Sequence, residues 1–332
     1  MSAPRYFFIT GTGRSGTTLL QSMISRGKGV FIPQETHFMS LLWQHRKRLG
    51  SLQSDQGWEA AKTAIARRSE VADIPFDKDR FDELAEDGPR HYATLLSAWL
   101  SVAAEAATEP GQPMPTVVGE KSPAHTTFVL ELLAMMPGSS VVHIVRDPRD
   151  VAVSQREAWN APAMSVAYRW MLDQKLEEDF EALVSPERFV TVRYEDLVTD
   201  PETHIRRVCD VLPVDFRPEM LEPHKRKHRG YSEQETHKRR TLEPITHSRI
   251  GRYRRELSPT TIAAIERTCR RHMERLGYEL EGHAWPIAEV SAAALAVPMV
   301  WRKAVSRTPA ARIARQVRGR SSPPGGASPA TE

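Results

Sequence analysis

Residues Tyr6 to Leu20, YFFITGTGRSGTTLL, pass from an apolar run through a glycine-rich turn into a stretch with helical spacing. Tyr6, Phe7, Phe8 and Ile9 read as a short buried strand, and Leu19, Leu20, Met23 and Ile24 share one face at a 3.6-residue period. Such a turn from strand to helix points successive backbone N–H groups, here those of Gly13, Arg14, Ser15, Gly16, Thr17 and Thr18, at one place. The positive end of the helix dipole stands behind them, so the natural occupant is a phosphate-like anion.

The spacing Gly11-x-x-x-x-Gly16-Thr17-Thr18 nearly matches the nucleotide-binding loop GxxxxGK[ST], but Thr17 stands where the lysine belongs. Kinases and ATPases use that lysine on the β- and γ-phosphates and the next hydroxyl on Mg²⁺. A cradle kept without its lysine predicts anion binding without γ-phosphoryl transfer, and Arg14 offers the cation from a different place. The alternative is a structural turn that merely carries glycines; the apolar strand before it and the amphipathic stretch after it argue against that reading.

Further along, Val30-Phe31-Ile32 makes a second short strand, and Gln34-Glu35-Thr36-His37 follows it. Open α/β sheets collect ligand-binding groups there, beyond the carboxyl ends of strands. Phe38 to Leu49 reads as one helix. Residues 50–115, rich in charge and alanine, read as a helical insertion or lid with helices near 56–68 and 89–107, placed either to select substrate or to form a structural layer. Strands resume at Thr116 to Val118, Ser140 to Val145 and Phe189 to Val192. Helices are expected at 126–136, from Pro148, at 163–184, at 201–212 and at 258–276, the last capped by Ser258 with Pro259 in first position. This alternation predicts an α/β fold, a parallel sheet flanked by helices on both faces.

The pI near 9.1 invites a nucleic-acid reading, but residues 301–332 hold seven Lys or Arg against one Glu, a net of +6 within a chain total of +4. The rest is therefore about −2, so no nucleic acid is expected as a partner, and the tail is left as a peripheral contact to acidic lipid or polymer. Cys209 and Cys269 form no CxxC pair, which suits a reducing compartment. No charged n-region with a long apolar run opens the chain, so a soluble cytoplasmic protein is expected. Residues 285–332 read as an apolar helix, Ala288 to Ala304, followed by a disordered tail, with residues 1–284 as the working domain. His224 and His228 stand at helical spacing without a supporting carboxylate or cysteine pattern, so no metal is expected.

Two separated stretches carry a family resemblance. Gly13-Arg14-Ser15-Gly16-Thr17-Thr18-Leu19 resembles the 5′-phosphosulfate loop of the sulfotransferases that use 3′-phosphoadenosine 5′-phosphosulfate (PAPS). Arg146-Asp147-Pro148, with Ser154 eight residues after the arginine, is similar to the family's second hallmark, which grips the 3′-phosphate. The likeness spans roughly Tyr6 to Leu276 and is nearer in detail to the glycan and protein-tyrosine enzymes than to those acting on small phenols and steroids. It implies a P-loop nucleoside-triphosphate-hydrolase-like fold, PAPS as sulfuryl donor and a hydroxyl-bearing acceptor. It also implies Glu35 as general base, His37 orienting Glu35 or the acceptor, and Lys121 of the Glu-Lys-Ser-Pro segment beside the sulfuryl oxygens. Arg14, which cannot readily donate a proton, stabilises charge. Tyr194 is expected near the adenine with Glu195 structural, Arg249 near the 3′-phosphate, and His125 stands where the family often has tyrosine, with an effect on acceptor contacts.

The residues alone support the same chemistry: Arg146 and Ser154 offer a two-pronged cation and a hydroxyl to a terminal phosphate. Two rivals are a degenerate P-loop kinase, disfavoured by Thr17, and a non-catalytic nucleotide- or polyanion-binding protein, disfavoured by Glu35, Lys121 and Arg146 together.

Overall fold

The strand predicted at Tyr6 to Ile9 forms as β1 (Arg5–Thr10), and its last four residues are fully buried. The computed structural model describes residues 4–225 and 243–283, all within one compact unit, Met1–Pro286. Four further strands, β2 (Val30–Phe31), β3 (Val117–Lys121), β4 (Ser140–Val145) and β5 (Phe189–Arg193), lie parallel to β1 in the order β2-β3-β1-β4-β5. The chain passes from β1 outward on one side and later returns to the other. All five carboxyl ends therefore share one edge, and a crevice opens beside β1 where the strand order reverses.

Side chains alternate across β1, so each sheet face receives its own helix layer. Phe7 and Ile9 pack with Leu20, Met23 and Ile24 of α1 (Thr17–Ile24). Phe8 faces the other way, into a core that joins Val118 to the helices between β2 and β3. Those are a short α2 (Arg46–Leu49), α3 (Asp55–Ala72), α4 (Lys78–Glu86) and α5 (Tyr92–Ala107), which bury Trp58, Ile65, Phe81, Leu95 and Trp99. After α6 (Val129–Met135) come α7 (Pro148–Trp159) and α8 (Ala163–Glu181). Next are α9 (Tyr194–Thr199), α10 (Pro201–Val211), α11 (Tyr253–Glu256) and α12 (Pro259–Arg275). Val151 and Ala152 of α7, Trp170 of α8 and Cys269 of α12 share a core with Val145, while Ile205 and Val208 of α10 complete the α1 side. Ser258 caps α12 by accepting from the Thr261 N–H at 3.2 Å, as its sequence position predicts.

Four expectations change. The single helix expected from Phe38 to Leu49 breaks into a wide turn, Met39–Trp43, and α2. The Gln44 N–H donates to the Met39 carbonyl, and His45 Nδ1 and Arg46 Nη1 bond the carbonyls of Ser40 and Trp43 at 2.9 and 2.7 Å, so side chains capture groups that a continuous helix would use. The strand expected to end at Val118 continues to Lys121, because Gly119 and Lys121 pair with Phe7 and Ile9. Gly119 is required there: an added Cβ would lie 2.3 Å from the Phe7 ring. The helix expected at 126–136 begins as a 3₁₀ segment, Pro123–Phe128, and α4, capped by Asp77, was not anticipated. His228, the helix at Ala288 to Ala304 and the tail lie outside the described residues. Among the described residues no helix is long and apolar enough to cross a membrane.

Candidate active site

Each strand delivers one part of the site. β1 leads into the glycine loop, β2 toward Glu35, β3 ends on Lys121, β4 hands over to Arg146 and β5 to Tyr194. A cavity of about 570 Å³ lies at these ends, lined on one flank by Gly13, Arg14, Gly16, Thr17, Thr18, Arg146, Ser154, Tyr194 and Arg249 and on the other by Glu35 and His37.

The loop is built for an anion. Gly16 sits at φ +103, and a Cβ on it would meet the Tyr194 ring at 2.6 Å, so both the backbone twist and the space demand glycine. α1 starts without a side-chain cap and without an acidic residue in its first turn, which leaves its leading N–H groups to whatever enters the cavity. The convergence expected of Gly13 to Thr18 is trimmed at Ser15: its N–H closes the turn on the Thr12 carbonyl at 3.0 Å, and its side chain is buried off the wall. Remote residues hold the loop's base, with Thr12 Oγ1 donating to Asp173 at 2.9 Å and the Gly11 N–H to Thr126 Oγ1 at 2.9 Å.

Arg14 and Ser154, predicted from separate motifs, meet: Arg14 Nε donates to Ser154 Oγ at 3.3 Å. Arg146 is nearly buried, stacks at 4.5 Å over the Tyr194 ring and donates to the carbonyls of Arg249 at 2.6 Å and Arg14 at 3.4 Å. Its Nε finds no partner among the described residues, and Asp150 lies 3.8 Å from its Nη2. A guanidinium with an unsatisfied N–H beside a loop of backbone donors fits a second anionic group, so these residues suit a nucleotide with two separate phosphate positions. Arg149, the other arginine of the motif, is structural, held by Asp147 at 2.7 Å and Glu266 at 2.5 Å. Glu195 is structural as well, accepting from the Asp147 N–H at 3.0 Å and the Tyr278 hydroxyl at 2.9 Å.

On the opposite flank Lys121 is wholly buried beneath the wall rather than on it, and its Nζ donates to Glu35 Oε1. The second carboxylate oxygen of Glu35 lies 3.3 Å from His37 Nε2. Burial pushes the His37 pKa below its ordinary value, and the nearby Arg68 works the same way, against the pull of Glu35 and Glu120. The ring is therefore neutral near pH 7. His125, expected to have an effect on acceptor contacts, is fully buried and off the cavity wall, where it touches Met39 and Glu120. Among the described residues no cluster of three or more His, Cys, Asp or Glu could hold a metal ion.

Several wall residues escaped sequence reading. Trp159, 51% exposed, lies against Gly13, and residues 243–246 with Ser248 form a rim next to Arg249. Neither shows periodicity or a motif; only the Pro and Gly punctuation of 244–251 marks a loop. Among the described residues none from 50 to 115 lines the cavity. That region reaches the site through Arg68 of α3, whose guanidinium donates to the carbonyls of Glu35 at 2.7 Å and Thr36 at 3.3 Å.

With this geometry in view, the relatives are consistent with one another. Residues 4–218 match the sulfotransferase family, and the chain belongs to it. Over 107 residues it is 35% identical to the omega-hydroxy-beta-dihydromenaquinone-9 sulfotransferase Stf3 of Mycobacterium bovis, covering 28% of this chain and 27% of that one. The Mycobacterium tuberculosis protein of the same name matches equally, so the chain spans about a quarter of the length of the curated relatives it matches. Among solved structures, the sulfotransferase domain from the Synechococcus PCC 7002 olefin synthase superposes with a TM-score of 0.59 at 21% identity, covering 84% of this chain and 97% of that one. The sulfotransferase domain from the curacin biosynthetic pathway also gives 0.59 at 21% identity, over 84% and 100%. These neighbours share the P-loop-like α/β fold.

Proposed function

We propose that the chain transfers a sulfuryl group from PAPS to an acceptor hydroxyl, with Glu35 as general base. The observation that carries this reading is that the glycine loop, the Arg146–Ser154 pair and Glu35 line one cavity. When bound, PAPS supplies an activated sulfuryl group and two phosphate positions for the protein to hold. The loop N–H groups and Arg14 suit the 5′-phosphosulfate end, and Arg146, Ser154 and Arg249 the 3′-phosphate. Glu35, on the facing wall, accepts the acceptor's proton; His37 orients its carboxylate and Lys121 balances its charge from beneath. Residues 1–284 carry this activity, and no metal takes part. Tyr194, packed over Arg146, supports a place for the adenine beside it.

The mycobacterial relatives are named for a hydroxylated dihydromenaquinone, so an isoprenoid alcohol heads the acceptor screen, ahead of sugars and tyrosine peptides. Cys209 and Cys269 are both buried free thiols, an arrangement compatible with a reducing, cytoplasmic setting, and burial pushes the Cys209 pKa up to about 11, which makes that thiol unreactive. Calorimetry with adenosine 3′,5′-bisphosphate (PAP) tests the donor site; no heat at millimolar ligand removes the reading. Glu35→Gln keeps PAP affinity and loses turnover by about 100-fold or more, the range of a lost general base. Full turnover in that variant removes Glu35 from the role.

A further inference from the structure

Glu120 stands in β3 immediately before Lys121, 0% exposed and off the cavity wall. Neighbouring strand residues leave on opposite sides, so the two side chains serve different partners. Glu120 Oε1 accepts from Thr36 Oγ1 at 2.7 Å, Ser122 Oγ at 2.7 Å and the Thr36 N–H at 3.3 Å. Its Oε2 lies 2.6 Å from His125 Nδ1. His125 Nε2 accepts the Met39 N–H at 3.3 Å, so Nδ1 is the ring nitrogen that faces Glu120, close to the carboxylate but outside hydrogen-bond alignment. Burial alone raises a carboxyl pKa, but His125 and the hydrogen bonds from Ser122 and Thr36 outweigh it and hold Glu120 ionised below its usual value.

Residues 35–37 thus run beside residues 120–122 and are tied at every step. Glu35 pairs with Lys121, Thr36 with Glu120, and the His37 N–H donates to Ser122 Oγ at 3.1 Å. The tie has work to do, because His37 sits at φ +53, a left-handed conformation that costs an L-residue about 1–2 kcal/mol. The 3₁₀ segment that carries His125 also carries Thr126, the acceptor for Gly11, so one short segment braces both flanks of the cavity.

We propose that Glu120 is a positioning residue for the transfer: it touches neither substrate and sets the aim of Glu35 by clamping the Thr36–His37 turn directly and through Ser122. The inference rests on Glu35 being the base. Glu120→Gln leaves one oxygen for Thr36 and Ser122 but removes the negative charge that gathers them and turns an amide N–H2 on His125, Thr36→Val removes the hydroxyl that reaches the clamp at little change in shape, and Thr36→Ser restores it. Each variant is measured for PAP affinity, for single-turnover PAP release from PAPS with water and with farnesol as acceptors, and, without nucleotide, for the His37 titration by NMR.

Glu120→Gln lowers turnover about tenfold or more and Thr36→Val about threefold, the scale of a misaimed catalytic group. PAP affinity stays within about twofold, and Thr36→Ser returns to wild type. The His37 pKa, held down chiefly by burial among Glu35, Arg68, Glu120 and His125, climbs toward its ordinary value in Thr36→Val as the turn opens. Unchanged turnover in folded Thr36→Val and Glu120→Gln overturns the proposal, and so does a loss of PAP affinity that matches the loss of turnover. Should Glu120→Gln fail to fold, the Thr36 pair decides. Glu35→Gln runs alongside: full turnover there sinks the base itself, whereas an inactive Glu35→Gln beside an unaffected Thr36→Val removes only the positioning role.

Discussion

The two flanks of the cavity solve the same problem by different means. The donor flank is built around one contiguous loop that offers backbone N–H donors at the start of α1, with the side chains of Arg146 and Ser154 beside it, and the loop's shape follows from two local features, the Ser15-to-Thr12 turn and the φ of Gly16. The base flank is three residues, Glu35 to His37, whose polar groups are bonded to β3, to Arg68 of α3 and to Ser122. A site made of backbone can be specified by its own few residues. A site made of side chains is specified by what packs around it.

Substitutions can press on this contrast. The largest effect is expected from Gly16→Ala, which forces a left-handed residue costing about 1–3 kcal/mol and drives a methyl into Tyr194. PAP affinity should fall about 100-fold in calorimetry, since nearly 3 kcal/mol separates affinities by that factor. Near-normal affinity would show that the backbone does not set the donor flank. Next, Arg146→Ala removes a charged donor worth about 1.5–3 kcal/mol, so PAP binding should weaken about 10- to 100-fold while turnover at saturating donor stays within a few-fold. A collapse of saturated turnover instead would couple the two flanks.

The smallest effect concerns pH and belongs to the base flank. Because the His37 pKa lies below its ordinary value of 6.5, the ring is neutral from pH 8 down to that point and takes a proton only as pH falls further. Protonated His37 pairs more tightly with Glu35 and makes it a poorer base, so turnover should drop about threefold through that window. Its stability contribution has the same sign: a depressed histidine favours the folded state above pH 6.5 and loses that advantage as pH falls. His37→Gln should flatten this part of the turnover profile, and an unchanged profile would assign the limb to another group.

Legibility in the sequence followed this same division. The loop, the strand from Ser140 to Val145 and the cap at Ser258 all stand in contiguous segments and form close to where they are expected, and Arg146 and Ser154, from one such segment, both line the cavity. Glu35, Lys121 and His37 are named through a resemblance that does not show how they touch: Lys121, expected beside the sulfuryl oxygens, is buried off the cavity wall and bonds Glu35. Glu120 stands in the sequence only as the first residue of the Glu-Lys-Ser-Pro segment, and Arg68, Asp173 and Trp159 carry no functional signal, because the partners that give these four a role, Thr36, Glu35, Thr12 and Gly13, lie more than thirty positions away, and hydrophobic periodicity reports only which face a residue occupies.

By itself, then, the sequence determined an α/β chain that opens on an anion-binding turn. Local backbone conformation and apolar spacing suffice for that, since both are properties of short segments. Only the tertiary structure decided what faces that turn. Parallel pairing of β1 with β3 and β4 brings residues more than a hundred positions apart to one edge, and the buried carboxylate of Glu120 then holds the base turn against the strain at His37.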